Sequence, residues 1–242
     1  MIKFFRKIRY NLMSKNKTGK YFKYAIGEII LVVIGILIAV QINNWNENQI
    51  QKAIERNYVE ILVQDLSEDG VSLAELVSLS NASVDSKNII LAYQEGNIPE
   101  PDSLGTHFLE AVFNGITNFV PNRGAINEIQ NAGGLSLINN EVVRNQILNL
   151  YNEYDNVEKN VGSNYLRNRL AMRDLVYSKA NGKLFLTFKI LDKEILYPLL
   201  RDSEIRNRLV NNWAVSYNNR LKELVEINAQ TIRICKDYLL KF

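Results

Sequence analysis

An all-α protein is the fold class this sequence predicts, with a single transmembrane helix continuing into a helical stalk and then a helical-bundle extracytoplasmic domain. Three observations carry that expectation. Tyr24 to Ile42 is the one stretch apolar and long enough to leave water entirely. Beyond it, apolar residues recur at steps of three and four, and only 4 prolines and 12 glycines interrupt 242 residues. The expected divisions are a basic amphipathic cytoplasmic arm over 1–23, the transmembrane helix over 24–42, a stalk over 43–70 and the helical domain over 71–242. One departure from helix is expected, a small β-hairpin near 183–197.

In the arm, Phe4, Phe5, Ile8 and Leu12 fall at helical spacing while Lys3, Arg6, Lys7 and Arg9 occupy much of the remaining surface. That division suits a short helix lying on an anionic inner leaflet, with Phe4, Phe5 and Ile8 in the interface. Eight cations, ending in Lys15, Lys17, Lys20 and Lys23, precede the first acid, Glu28. The asymmetry predicts a cytoplasmic N-terminus and puts the chain beyond the span on the outer side. Because the whole chain carries only +3, the remainder is acidic, and the sequence pI of 8.8 gives no reason to expect nucleic acid.

As a helix, 24–42 reaches roughly 28 Å, the thickness of a bilayer's hydrocarbon. A cleaved signal peptide is the competing reading. The basic region is too long for one, and bulky Leu37 stands where a cleavage site after Ala39 would need a small residue. Gly27, Gly35 and Ala39 share one helix face and would let a second helix approach, so a homo-oligomer or a membrane-protein partner is expected there. Glu28 sits near the start of the span, where it gains from the helix dipole and reaches the interface beside Lys20 or Lys23. Trp45, flanked by amides, marks the outer interface.

The run Tyr24-Ala25-Ile26-Gly27-Glu28-Ile29, then Leu31 to Ala39, then Gln41 with Asn43-Asn44-Trp45-Asn46, resembles the opening signature of an uncharacterised single-pass membrane family, a domain of unknown function frequent in Bacteroidota. The likeness covers about the first 45 to 50 residues and is looser around Gly133 to Ile138. It implies a bacterial inner-membrane location with a periplasmic domain, and it brings no catalytic residue with it.

Ile50, Ile54, Tyr58, Ile61, Leu62 and Leu66 continue a helical stripe up to Gly70, and Leu73, Leu76, Val77, Val84 and Leu91 predict a second helix reaching Gly96. Glu95 to Asp102, with Pro99 and Pro101, is the strongest break. A helix is expected over Thr106 to Gly115, then a loop through Val120 to Gly124 and a short helix closed by Gly133-Gly134 in left-handed conformation. Asn139 or Asn140 should cap the next helix, whose seam runs Val143, Ile147, Leu150, Tyr154, Val157, Val161, and a further helix should cover Asn164 to Ala180.

Leu184, Leu186, Phe188 and Ile190 alternate, with Asp192-Lys193 as a turn before Glu194 to Tyr197, and this is the basis of the hairpin. Asp202-Ser203-Glu204 should open a final helix burying Ile205, Leu209, Trp213, Tyr217, Leu221, Leu224, Ile232, Cys235 and Leu239. Leu137 to Tyr151 also aligns with Leu199 to Trp213 at an offset of 62, which reads either as a duplicated unit or as two convergent amphipathic helices.

Reactive constellations are scarce, so the expectation is a protein without catalytic residues, cofactor or metal. His107 is the one histidine, paired with Glu110 on a helix surface; Cys235 is the one cysteine and reads as a buried core residue. Asp65, Glu68 and Asp69 could attract a cation, but a solvated helix end is the simpler reading, and Arg167, Arg169 and Arg173 read as helix surface. The leading functional expectation is a membrane-anchored interaction or structural protein. A sensory or ligand-binding ectodomain relaying through a partner is the alternative, and a pocket where Tyr, Arg and Asn converge would favour it.

Overall fold

The computed structural model describes Arg6, Tyr10 and residues 18–114, 117–180, 192–211 and 213–242, without the side chains of 18–21 and 24. Phe4, Phe5, Ile8 and the Lys20 side chain lie outside the described residues, as does the 183–191 half of the expected hairpin. Among the described residues every regular element is helical. The chain divides into two compact units, Met1–Ile54 and Glu55–Phe242.

Helix α1 is Thr18–Gln94, 77 residues without interruption. No second helix begins after Gly70. Gly70 marks a close approach within the helix: a Cβ would stand 3.1 Å from Asn228 Oδ1, a tight contact, and the Asn228 amide there donates to the Leu66 carbonyl at 2.9 Å and the Tyr154 hydroxyl at 2.6 Å. The helix ends at a real stop, Gly96 with φ 73°.

In the second unit, α2 (Leu104–Phe113), α3 (Gly124–Ala132), α4 (Glu141–Asn156), α5 (Gly162–Lys179), α6 (Lys193–Arg201), α7 (Ser203–Val210) and α8 (Ala214–Leu239) complete the helices. Gly133 and Gly134 take positive φ of 140° and 86°, and the Gly134 amide donates to Ile129 O at 2.8 Å, closing α3 as its sequence predicts. Asn140 caps α4 by accepting from Val142 N and Val143 N. Asn139 instead binds the buried carboxylate of Glu55, which also accepts from the Tyr238 hydroxyl at 2.6 Å.

Two further expectations are corrected. Glu194 to Tyr197 is not a strand: Asp192 caps α6 by accepting from Glu194 N, and Leu196, Leu199 and Leu200 go into the core at helical spacing. The helix expected over about Asn164 to Ala180 is α5, and a π-helical turn, Val157–Val161, joins it to α4 as one rod. The last helix is two, since α7 stops at Val210 and α8 starts at Ala214, leaving Trp213 exposed at their junction. The repeat with offset 62 amounts to a shared helix start. Asn140 and Asp202 are both N-caps accepting two backbone amides, but α4 runs to Asn156 where α7 ends after 8 residues.

The π turn fixes a local dependence. The Asn118 amide donates to the Glu158 carbonyl at 2.8 Å, a group that the wider turn leaves available, and the Tyr217 hydroxyl donates to Asn118 Oδ1 at 3.4 Å. A Cβ on Gly162 would fall on that carboxamide. Glycine to alanine inside a helix ordinarily gains about 0.5–1 kcal/mol. Here Gly162→Ala is expected to lose about 1–3 kcal/mol through overpacking, with Asn118→Ala relieving part of the loss in the double variant. Thermal unfolding of the three variants reads the sign, and a stabilised single variant would refute the contact.

Two apolar cores fill this unit. One is built from Val59, Leu62, Leu66 and Leu73 of α1 with α3, α4 and α8; the other joins Ile90 of α1 to α2, α6, α7 and the Met172 end of α5. Along α1 the buried residues between the two are Ser80, Ser83, Ser86 and Lys87, and along α5 the corresponding residue is Arg169. Burial holds the Lys87 amine below its usual range.

Candidate functional site

Three features of the sequence converge on α1. From Ile26 to Ile42 its aliphatic side chains are between 48% (Val33) and 65% (Leu31) exposed, so no face of this stretch is packed against protein. Leaving twelve such half-exposed side chains in water forgoes roughly 10–20 kcal/mol, at about half of the 1.5–3 kcal/mol that full burial of each would give. The described residues hold one helix long and apolar enough to cross a membrane, near the N-terminus, and none of its apolar window is buried. At Gly27 and Gly35 a Cβ would meet nothing within 4 Å, and Ala39 is equally open. Trp45 is 63% exposed at the polar end of the apolar stretch, Lys23 is exposed and Glu28 is half-buried.

The acids Asp65, Glu68 and Asp69 do not form a solvated helix end. Asp69 is buried and accepts from Asn122 N at 2.7 Å, Asp65 accepts from Ala125 N at 2.7 Å, and Glu68 takes the Asn122 side-chain amide at 3.2 Å. Together they hold the loop entering α3 and its first turn, whose dipole favours negative charge. Burial pushes the Asp69 carboxyl up to about 6, against the pull of the Asn122 amide and the nearby Tyr154 hydroxyl. Arg123 completes the corner by pairing with Asp155 and, at 2.9 Å, with Glu158. Among the described residues no cluster of His, Cys, Asp and Glu is arranged to hold a metal ion.

His107 and Glu110 are linked through a third residue that sequence spacing could not supply. The Ser86 hydroxyl of α1 donates to Glu110 Oε2 at 2.6 Å, so its oxygen is left to accept from His107 Nδ1 at 3.1 Å. His107 Nε2 lies 3.0 Å from the Ser103 hydroxyl, so a serine engages each ring nitrogen. This network ties α2 to α1. Cys235 is buried among apolar groups, which pushes its thiol up to about 12 and leaves it unreactive.

Arg169, read as surface, is 1% exposed. Its guanidinium donates to the carbonyls of Ala111 and Asn114 and, at 3.4 Å, to that of Glu110, closing the C-terminus of α2, and it lies 5.8 Å from the Tyr165 ring. The negative end of the helix dipole and the ring face take the place of a carboxylate partner.

A cleft that the sequence did not announce opens at the other end of α1. Tyr93, Gln94, Glu100, Tyr197, Leu200, Arg201 and Arg206 line a cavity of about 680 Å³. Gln94 donates to the Leu200 carbonyl at 2.6 Å and so pins α1 to α6. Glu100 accepts from the Tyr197 hydroxyl at 2.9 Å and pairs with Lys193 at 2.9 Å, which together hold its carboxyl below the usual range. The contributing segments lie about a hundred residues apart, and the one local signal was Arg201 and Arg206 on either side of the Asp202 helix start.

A family model described as a family of unknown function, DUF6090, matches residues 28–216, from within the apolar stretch of α1 to the start of α8. No curated protein and no solved structure matches the chain. With more than three quarters of its residues inside that match, the chain belongs to this family of unknown function.

Proposed function

We propose that the protein is a bacterial inner-membrane tether: residues 24–42 span the bilayer, the basic arm stays on the cytoplasmic leaflet, and the bundle from Glu55 onward is presented in the periplasm to a partner or to a second copy. The observation that carries this reading is the unburied apolar stretch of α1, which water would not tolerate. The eight cations before Glu28 support the orientation. The open face at Gly27, Gly35 and Ala39 supports close approach of another helix within the bilayer. Action by binding rather than by catalysis is supported by the commitments of the groups that could react. Both ring nitrogens of His107 are engaged by serines, Cys235 is sealed in the core, and Asp65 and Asp69 hold α3.

Topology fusions test the tether. A reporter active only outside the cytoplasm should be active when joined after Phe242, and one active only inside should be silent there. The full chain should stay with the membrane fraction through alkaline carbonate extraction, whereas Ile34→Arg with Leu37→Arg should release it, at a cost of about 3 kcal/mol per central arginine. An active cytoplasmic reporter at the C-terminus, or a chain extracted without detergent, would end the proposal.

A further inference from the structure

The structure assigns the cleft between the C-terminal end of α1 and the α6–α7 elbow as a binding site for a small organic oxyanion, a molecule bearing a carboxylate or phosphate group. The inference concerns the bundle alone and does not depend on how the chain is anchored.

The charges around the cleft carry it. Arg201, at the last residue of α6, is exposed and has no carboxylate within 4.0 Å among the described residues. Arg206 forms a loose ion pair with Glu95 at 3.7 Å, too long for a hydrogen bond. The other acids nearby are already engaged. Glu100 is held by Lys193 and Tyr197; Asp202 caps α7 through Glu204 N and Ile205 N and pairs with Lys179 at 2.9 Å. Two guanidinium forks therefore stand on one cavity whose lining carboxylate, Glu100, is held by Lys193 and Tyr197.

The elbow explains why both forks reach it. Asp202 ends α6 with extended backbone and starts α7 in the same residue, so the arginine preceding it and the arginine four residues after it line one cavity. Arginine supplies paired parallel donors, the geometry that carboxylate and phosphate accept. The rest of the wall is of another kind. Gln94 adds a carboxamide, and Tyr93, Tyr197 and Leu200 add the smaller, apolar share of a mainly polar wall; about 680 Å³ lies within the range of small-molecule sites and far exceeds a bare phosphate. The cleft thus fits an anionic head on Arg201 and Arg206 with a carbon body against the tyrosines.

The test uses the full chain in nanodiscs of zwitterionic lipid, titrated calorimetrically at low ionic strength with benzoate and, separately, inorganic phosphate. Saturable binding of at least one probe is expected. Arg201→Gln should weaken it roughly tenfold, Arg201→Gln with Arg206→Gln should abolish it, and Lys222→Gln on the exposed face of α8 should leave it unchanged. Benzoate alone identifies a carboxylate site and phosphate alone a phosphate-ester site. No saturable binding of either probe up to about 10 mM, or full affinity retained in the double arginine variant with an unchanged melting profile, would overturn the assignment.

Discussion

Asp69→Asn is expected to stabilise the bundle at pH 8 and to make no difference at pH 4. The carboxyl is buried, and desolvation lifts its pKa from 3.8 to about 6, with Asp65 and Glu68 adding repulsion. A group whose pKa is raised on folding contributes fully below its unfolded value and loses that contribution as the pH climbs through the folded one. Above pH 6 the fold therefore carries an ionised carboxylate that the unfolded chain would accommodate more easily. The shift corresponds to about 2 kcal/mol after allowance for partial hydration of the corner. Asparagine keeps the acceptor that Asn122 N–H uses at 2.7 Å and removes the charge. Thermal unfolding of both proteins between pH 4 and pH 8 should show curves that meet at the acid end and separate on passing pH 6. Parallel curves would mean that Asp69 is not the group being titrated.

Arg169→Met should do the opposite and do it at every pH. Methionine fills much of the same volume but leaves the carbonyls of Glu110, Ala111 and Asn114 without their buried donor. Each such carbonyl costs about 1–3 kcal/mol, while removing a buried cation returns several kcal/mol of desolvation. The Glu110 carbonyl keeps the Asn114 amide at 3.2 Å, so it is the carbonyls of Ala111 and Asn114 that outweigh the relieved charge, and a net loss of about 2 kcal/mol is expected, or a fall of roughly 6 °C in Tm for a unit of this size. Arg169→Lys should be nearly as damaging, because a single ammonium cannot span the three acceptors as the fork does. If the lysine variant melted with the wild type, charge at the end of α2 and not the guanidinium geometry would be the stabilising feature.

The parts of this fold that were legible in the sequence are those decided locally. Asn140 and Asp202 carry side chains of the right length to accept amides two and three residues on, and Gly133-Gly134 can enter positive φ without a Cβ clash. The apolar run of α1 needs no partner to be recognised. What escaped was set by contacts from elsewhere in the chain. Gly70 looks like a stop until Asn228 is found against it, and Val157 to Gly162 reads as ordinary helix followed by a break until Asn118 is seen to occupy the wider turn. Glu194 to Tyr197 follows the alternating Leu184 to Ile190 across an expected turn at Asp192-Lys193, yet Asp192 caps it as a helix and three leucines reward that choice with burial. Arg169 has the spacing of a surface cation because nothing in its own neighbourhood reveals the carbonyls of α2. The cleft was invisible for the same reason, since its walls come from α1, the Glu100 loop, α6 and α7.

The π turn between α4 and α5 also sets the phase of the rod. The Gly162 amide bonds Val157 O, five residues back, where an α-helix would use four, so the turn holds one residue more than regular helix requires. Each residue of an α-helix advances the side chains by about 100°. Deleting one residue from 157–161 would restore ordinary winding and swing the downstream half by that angle, carrying Tyr165 off its stack with Tyr217 and Arg169 off the end of α2 while leaving Tyr154 where it is. The two halves of this rod are thus indexed separately, and a single inserted residue is what lets one continuous helix serve two cores.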